Sequence, residues 1–127
     1  MPFARLTTLP PLAPAPAARL AQDLGALIVR HLGKNPDLTS ILIETPSQPH
    51  WAIGGAARDT AAHFEVTVTQ GTNTEAQKRA FLAAAARALQ QALPGLAEAT
   101  YVTIREQPGA NWGYDGQSQA DRAAGRA

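Results

Sequence analysis

The chain has 127 residues, 45% hydrophobic and 17% charged, with a formal net charge of +1. That suffices for one soluble domain with a sizeable core. The near-neutral charge gives no pull toward nucleic acid or membrane, and the absence of cysteine excludes disulfides, thiolate metal sites and a cysteine nucleophile.

The chain opens Met1-Pro2-Phe3. A small second residue permits removal of the initiator Met, which would leave proline as a free secondary amine of pKa roughly 8. Apolar burial or a nearby cation would lower that value toward neutrality. An amine so poised suits proton abstraction beside a carbonyl. Phe3 to Leu9 then reads as a short strand, and Pro10 to Pro16 as a stiff loop that cannot be helical throughout. No stretch reaches the ~18 apolar residues of a membrane span, and the start lacks the charged-then-apolar order of a signal peptide. A cytoplasmic location is expected.

Leu20, Leu24, Leu27, Ile28 and Leu32 recur at spacings of three and four, predicting a helix from about Ala17 to Leu32 with one buried face. Gly33 ends it, and Asn35-Pro36 prevents continuation. Leu38 to Thr45 is a predicted strand. Phe64, Val66 and Val68 alternate with Glu65, Thr67 and Thr69, a strand with one apolar and one polar face. A turn at Gly71–Thr74 follows. Either Thr72 with Glu75 or Thr74 with Gln77 fits a capping box for a second helix, about Glu75 to Leu93, striped by Phe81, Ala85 and Leu89. Thr100 to Glu106 is the last long strand. Residues 118–127 form a small, polar tail, expected to be frayed or packed at an edge.

The chain is written twice. An offset of 61 takes Leu32 to Leu93, Ile41 to Val102, Ile43 to Ile104 and Gly55 to Gly116. It also superposes the two tryptophans, Trp51 and Trp112. One domain, residues 1–127, is therefore expected, with repeats of about 2–60 and 62–117. Each repeat is a βαβ unit with parallel strands and a right-handed crossover. Two units give a four-stranded α/β sheet with both helices on one face. The other face would gain from burial in an oligomer. The same offset from Pro2 reaches His63, so the second half cannot repeat the amine.

Met1-Pro2-Phe3, His50-Trp51-Ala52-Ile53-Gly54-Gly55 and the run from Tyr101 to Gly116 together resemble the tautomerase superfamily. The middle segment is similar to the end of short 4-oxalocrotonate tautomerases. The last is similar to the end of macrophage migration inhibitory factor-like proteins and malonate semialdehyde decarboxylases. The resemblance spans Pro2 to about Gly116 and implies a homotrimer of doubled units with sites at the subunit interfaces. It further implies a cofactor-free keto-enol tautomerase with Pro2 as general base, acting on a small carbonyl or carboxylate substrate. Alternatives are a decarboxylase or hydratase relative, or a non-catalytic ligand-binding trimer.

By the same resemblance Lys34 would bind substrate, and Tyr101 would be donated from the adjacent subunit. Trp51, Trp112 and Tyr114 would wall the pocket. The plain alternatives are a solvated helix-end lysine and ordinary interface or core aromatics. Arg5, Arg58 and Arg105 are other candidate carboxylate clamps. The familial arginines are missing. Ile41-Leu42-Ile43, Pro11-Leu12-Ala13 and Gln70-Gly71-Thr72-Asn73 stand where relatives carry them. That weakens water-adding chemistry and dicarboxylate substrates. His31, His50 and His63 lack metal-site spacing, and no metal or cofactor is expected.

Overall fold

The computed structural model describes residues 1–125. Its elements are β1 (Phe3–Leu9), α1 (Pro14–Leu32), β2 (Ser40–Glu44), β3 (Ala52–Ile53), β4 (Ala56–Ala57) and β5 (Ala61–Thr69). There follow α2 (Glu75–Ala92), β6 (Val102–Gln107), β7 (Gly113–Tyr114), β8 (Gln117–Ser118) and α3 (Gln119–Ala123). The main sheet has the order β2-β1-β5-β6. Each unit pairs its own strands in parallel, and the two units meet along the antiparallel pair β1–β5.

One sheet face is the core. Ala4, Leu6, Phe64, Val66 and Val68 point from it against Leu20, Leu24 and Ile28 of α1 and Phe81, Ala85 and Leu89 of α2, all buried. Period-two alternation along the strands and a three-and-four stripe along each helix produce this single apolar layer. Both helices lie on that face, as expected. The opposite face carries Arg5, Glu44, Glu65 and Arg105, with Phe3 and Leu42 exposed among them.

Several boundaries move. α1 begins at Pro14, three residues before the prediction, because the first turn of a helix needs no N–H donors and proline's φ suits it. The first intrahelical bond runs from the Ala17 N–H to the Ala13 carbonyl, 3.0 Å. The tail is packed rather than frayed as far as the structure describes it. Ser118 caps α3 by accepting from the Asp121 N–H at 3.0 Å, and α3 lies against the Gly109–Asn111 turn. Residues 126 and 127 of the expected tail lie outside the described residues.

The repeat is clearest after the helices. The β3–β4 and β7–β8 hairpins are related by the offset of 61, down to their turns. Gly54-Gly55 and Asp115-Gly116 both take positive φ, at 59° and 81° against 51° and 75°. Beyond each hairpin, the Arg58 N–H returns to the Trp51 carbonyl as the Gln119 N–H does to the Trp112 carbonyl, 2.8 and 2.9 Å.

The first strands depart from that register. Buried Pro2, Ala4, Leu6 and Thr8 match buried Ala62, Phe64, Val66 and Val68, an offset of 60. An odd offset would put the two strands' apolar residues on opposite faces. The structural counterpart of Pro2 is therefore Ala62, not His63. His63 faces the other side of the sheet, beside Glu65 at 3.6 Å.

Candidate active site

The chain's first residues lie at the sheet end where β1 starts, β5 and β6 finish and α1 stops. Four local events bring these pieces together. Gly33, in the left-handed region at φ 67°, closes α1 with its N–H on the Val29 carbonyl. Asn35 accepts from the Asp37 N–H and starts a single 3-10 turn, Pro36–Leu38. The chain re-enters the sheet with the Ser40 N–H on the Pro2 carbonyl, 3.1 Å. Lys34 is thereby set beside the amino terminus.

The fourth event is the turn after β5. Of the two predicted capping boxes, Thr74 with Gln77 forms: the Gln77 N–H reaches the Thr74 hydroxyl at 3.1 Å, and Gln77 Oε1 accepts from the Thr74 N–H at 2.9 Å. Thr72 is left free for another task. Lys34 Nζ donates to Thr72 Oγ1 at 2.8 Å, and that hydroxyl donates to the Thr69 carbonyl at 2.6 Å. Asn73 Nδ2 donates to the Leu32 carbonyl at 2.8 Å, tying the same turn to the end of α1. Trp112 Nε1 donates to Thr69 Oγ1 at 3.2 Å. The last residue of β5 thus holds a tryptophan, and the turn after it holds the lysine.

Electrostatics follow from the packing. The amino terminus, here on Met1, is held below its ordinary 8.0, first by burial and then by the positive charge of Lys34. Lys34 is itself held below its ordinary 10.5 by burial, with Glu106 opposing. Glu106 is in turn paired with Lys78 at 2.8 Å. Lys34 and the amino terminus are thus two basic groups close enough for the charge of one to lower the basicity of the other.

Pro2, Lys34 and Trp112 therefore share one end of the sheet. Tyr114, in the same hairpin as Trp112, has its ring 3.7 Å from the Arg122 guanidinium, which also donates to the Tyr114 carbonyl at 3.0 Å. Tyr101 lies at the other end of the sheet. Its carbonyl accepts from the Phe64 N–H, and Phe64 pairs with Leu6, three residues along β1 from Phe3. Its side chain is 70% exposed. Trp51 is at that far end as well, where Arg58 donates to the Gly95 carbonyl at 3.0 Å. Neither aromatic reaches Pro2 within one chain.

The three candidate arginines are engaged elsewhere. Arg5 pairs with Glu44 at 3.3 Å and Arg105 with Glu65 at 3.8 Å on the open face, and Arg58 holds Gly95. Sequence reasoning missed Thr69, Thr72, Glu106 and Lys78. The available signal was the choice of capping box: committing to Thr74 and Gln77 releases Thr72.

No protein-family model matches the chain, and no curated protein does. Solved structures do match. A protein crystallised after inactivation by 2-oxo-3-pentynoate superposes with a TM-score of 0.83 at 21% identity, covering 98% of this chain and 99% of that one. A fused 4-OT, a symmetric trimer, gives the same figures. A macrophage migration inhibitory factor-like protein from Entamoeba histolytica gives 0.77 at 18% identity over 92% and 97%. The fold of this chain is therefore that of the 4-OT and migration inhibitory factor-like proteins, the tautomerase-superfamily fold.

Proposed function

We propose that this chain is a cofactor-independent keto-enol tautomerase whose base is the amine of Pro2, exposed by removal of Met1. The observation that carries the reading is the amino terminus set beside Lys34, its basicity lowered by burial and by that charge. A neutral amine near pH 7 can take a proton from the carbon next to a carbonyl. The C–H electron pair becomes the enol double bond, and the carbonyl π pair moves to oxygen. Protonated Pro2 then returns the proton to that oxygen, and the reverse path restores the ketone.

Lys34 would receive the substrate carboxylate. Trp112 would exclude water beside it. Among the described residues the hydrogen bond of Lys34 goes to a neutral hydroxyl and not to a carboxylate, which suits a small monocarboxylic or aromatic 2-oxo or enol acid. Tyr101 and Trp51 would come from neighbouring copies in a cytoplasmic homotrimer. The trimeric fused 4-OT of the same fold supports that assembly.

A test follows from the protein inactivated by 2-oxo-3-pentynoate. The intact mass of the purified chain should lack Met1, and incubation with that alkynoate should add one equivalent, mapped to Pro2. A retained Met1 with full tautomerase activity, or an adduct on another residue, would overturn the amine mechanism.

A further inference from the structure

Lys34 lies on the loop after α1, on a long flexible stem, where an unrestrained ammonium would sample many positions. Among the described residues its hydrogen-bond partner is Thr72, which is well suited to hold it. A hydroxyl has a single proton and two lone pairs. The Thr72 proton is directed at the Thr69 carbonyl, 2.6 Å away, so Oγ1 presents only lone pairs to Lys34 Nζ at 2.8 Å. The ammonium has three protons, and Thr72 takes one. Two remain for an incoming carboxylate, and Thr72 has no proton left with which to compete for it.

The turn that carries Thr72 is itself secured. Asn73 Nδ2 donates to both the Leu32 carbonyl and Gln77 Oε1, at 2.8 and 3.1 Å, and the Gln70 N–H closes the β5–β6 ladder on the Gln107 carbonyl at 2.8 Å. Thr72 is thus fixed to α1, α2 and the sheet.

We propose that Thr72 is a positioning residue of this site, holding the Lys34 ammonium beside the start of β1 so that it meets a substrate carboxylate already in place. The cation comes from the end of α1, and the turn after β5 aims it. Pre-ordering of this kind lowers the entropy lost on binding, so its removal weakens capture of the anion more than the proton transfer itself. The proposal rests on the tautomerase reading for its kinetic assay and on geometry alone for its spectroscopic one.

The experiment compares wild type, Thr72→Val and Thr72→Ser, with deuterium exchange beside the carbonyl measured for an aryl 2-oxo acid and for the matching aldehyde without a carboxylate. Thr72→Val should raise KM for the acid about tenfold, the scale of one charge-assisted hydrogen bond. It should leave kcat and the aldehyde reaction unchanged, and Thr72→Ser should restore the acid KM. Equal losses on both substrates, or no loss, would overturn the proposal. In protein labelled with isotopic lysine, the slowly exchanging ammonium signal of Lys34 should vanish in Thr72→Val and persist in Thr72→Ser. Should wild type turn over neither substrate, the tautomerase reading fails and this signal decides alone. Its loss in Thr72→Val would uphold the positioning role, and its persistence would refute it.

Discussion

At the scale of single residues, the proposed site depends on two amines, the amino terminus and Lys34, that burial discourages from carrying charge. For the proposed Pro2 base this would be useful, because the neutral form takes the proton. For Lys34 it is a limit, because only the protonated form binds an anion. In the structure the amino terminus, on Met1, is held below 8.0 and Lys34 below 10.5, and a Pro2 amine freed beside the same lysine would meet the same charge. The dependence of kcat/KM on pH should therefore be a bell, its acid limb below the ordinary α-amino value and its alkaline limb below the ordinary lysine value. Lys34→Ala should move the acid limb upward by removing the neighbouring positive charge, and should abolish the alkaline limb. An acid limb at or above 8.0 in wild type would contradict the environment described.

The same shifts bear on stability. Both groups have folded values lower than unfolded ones, so over that interval the unfolded chain binds more protons. Stability should rise with pH from the lowered amine value up to 8.0. Urea melts of wild type across this window, set against Lys34→Ala, measure the slope, which should be smaller in the variant.

At the scale of elements, the two hairpins show why part of the fold was easy to read and part was not. The helices and long strands carry their signal in periodicity, and Leu20, Leu24 and Ile28, or Phe64, Val66 and Val68, declare their faces in sequence. Two-residue strands have no periodicity. Their trace is the Gly54-Gly55 and Asp115-Gly116 turns, whose positive φ values fit the primed turns of tight hairpins. Gly113 has a further duty, since a Cβ there would collide with the Gln117 carbonyl across the hairpin. Gly113→Ala should disturb the β7–β8 hairpin and, through Trp112, the site. The measurement is tryptophan fluorescence together with KM, and wild-type values for both would refute the coupling.

Face parity explains the misplaced counterpart of Pro2. The offset of 61 is true from α1 through the hairpins, but the loop after β1 is one residue shorter than the loop after β5. Only the pattern of buried residues reveals that slip. Pro2 and Lys34 became candidates through the resemblance, and the Gly33 cap that sets the position of Lys34 was legible in the sequence. Thr72 and Glu106 were not, because their roles depend on which turn packs beside which strand end.

At the scale of the whole molecule, the core lies on one side of the sheet and an unfinished surface on the other. Phe3 and Leu42 are exposed there, each 39%, amid the Arg5–Glu44 and Arg105–Glu65 pairs. Tyr101 and Trp51 stand at the end of the sheet remote from Pro2. A trimer would bury the first set and bring the second to a neighbour's site. Light scattering should give three times the mass of one chain. Leu42→Asp, which places a carboxylate on that face, should lower the mass toward the monomer and reduce turnover with it. Full activity from such a monomer would show that each chain carries a complete site.

The central claim is that the amine of Pro2 does the chemistry. Turnover of phenylenolpyruvate by Pro2→Ala, measured against wild type at equal trimer content, tests it most directly. The account predicts a fall in kcat/KM of at least about a hundredfold, the lower range for loss of a general base, with the trimer intact. Turnover equal to wild type would contradict it.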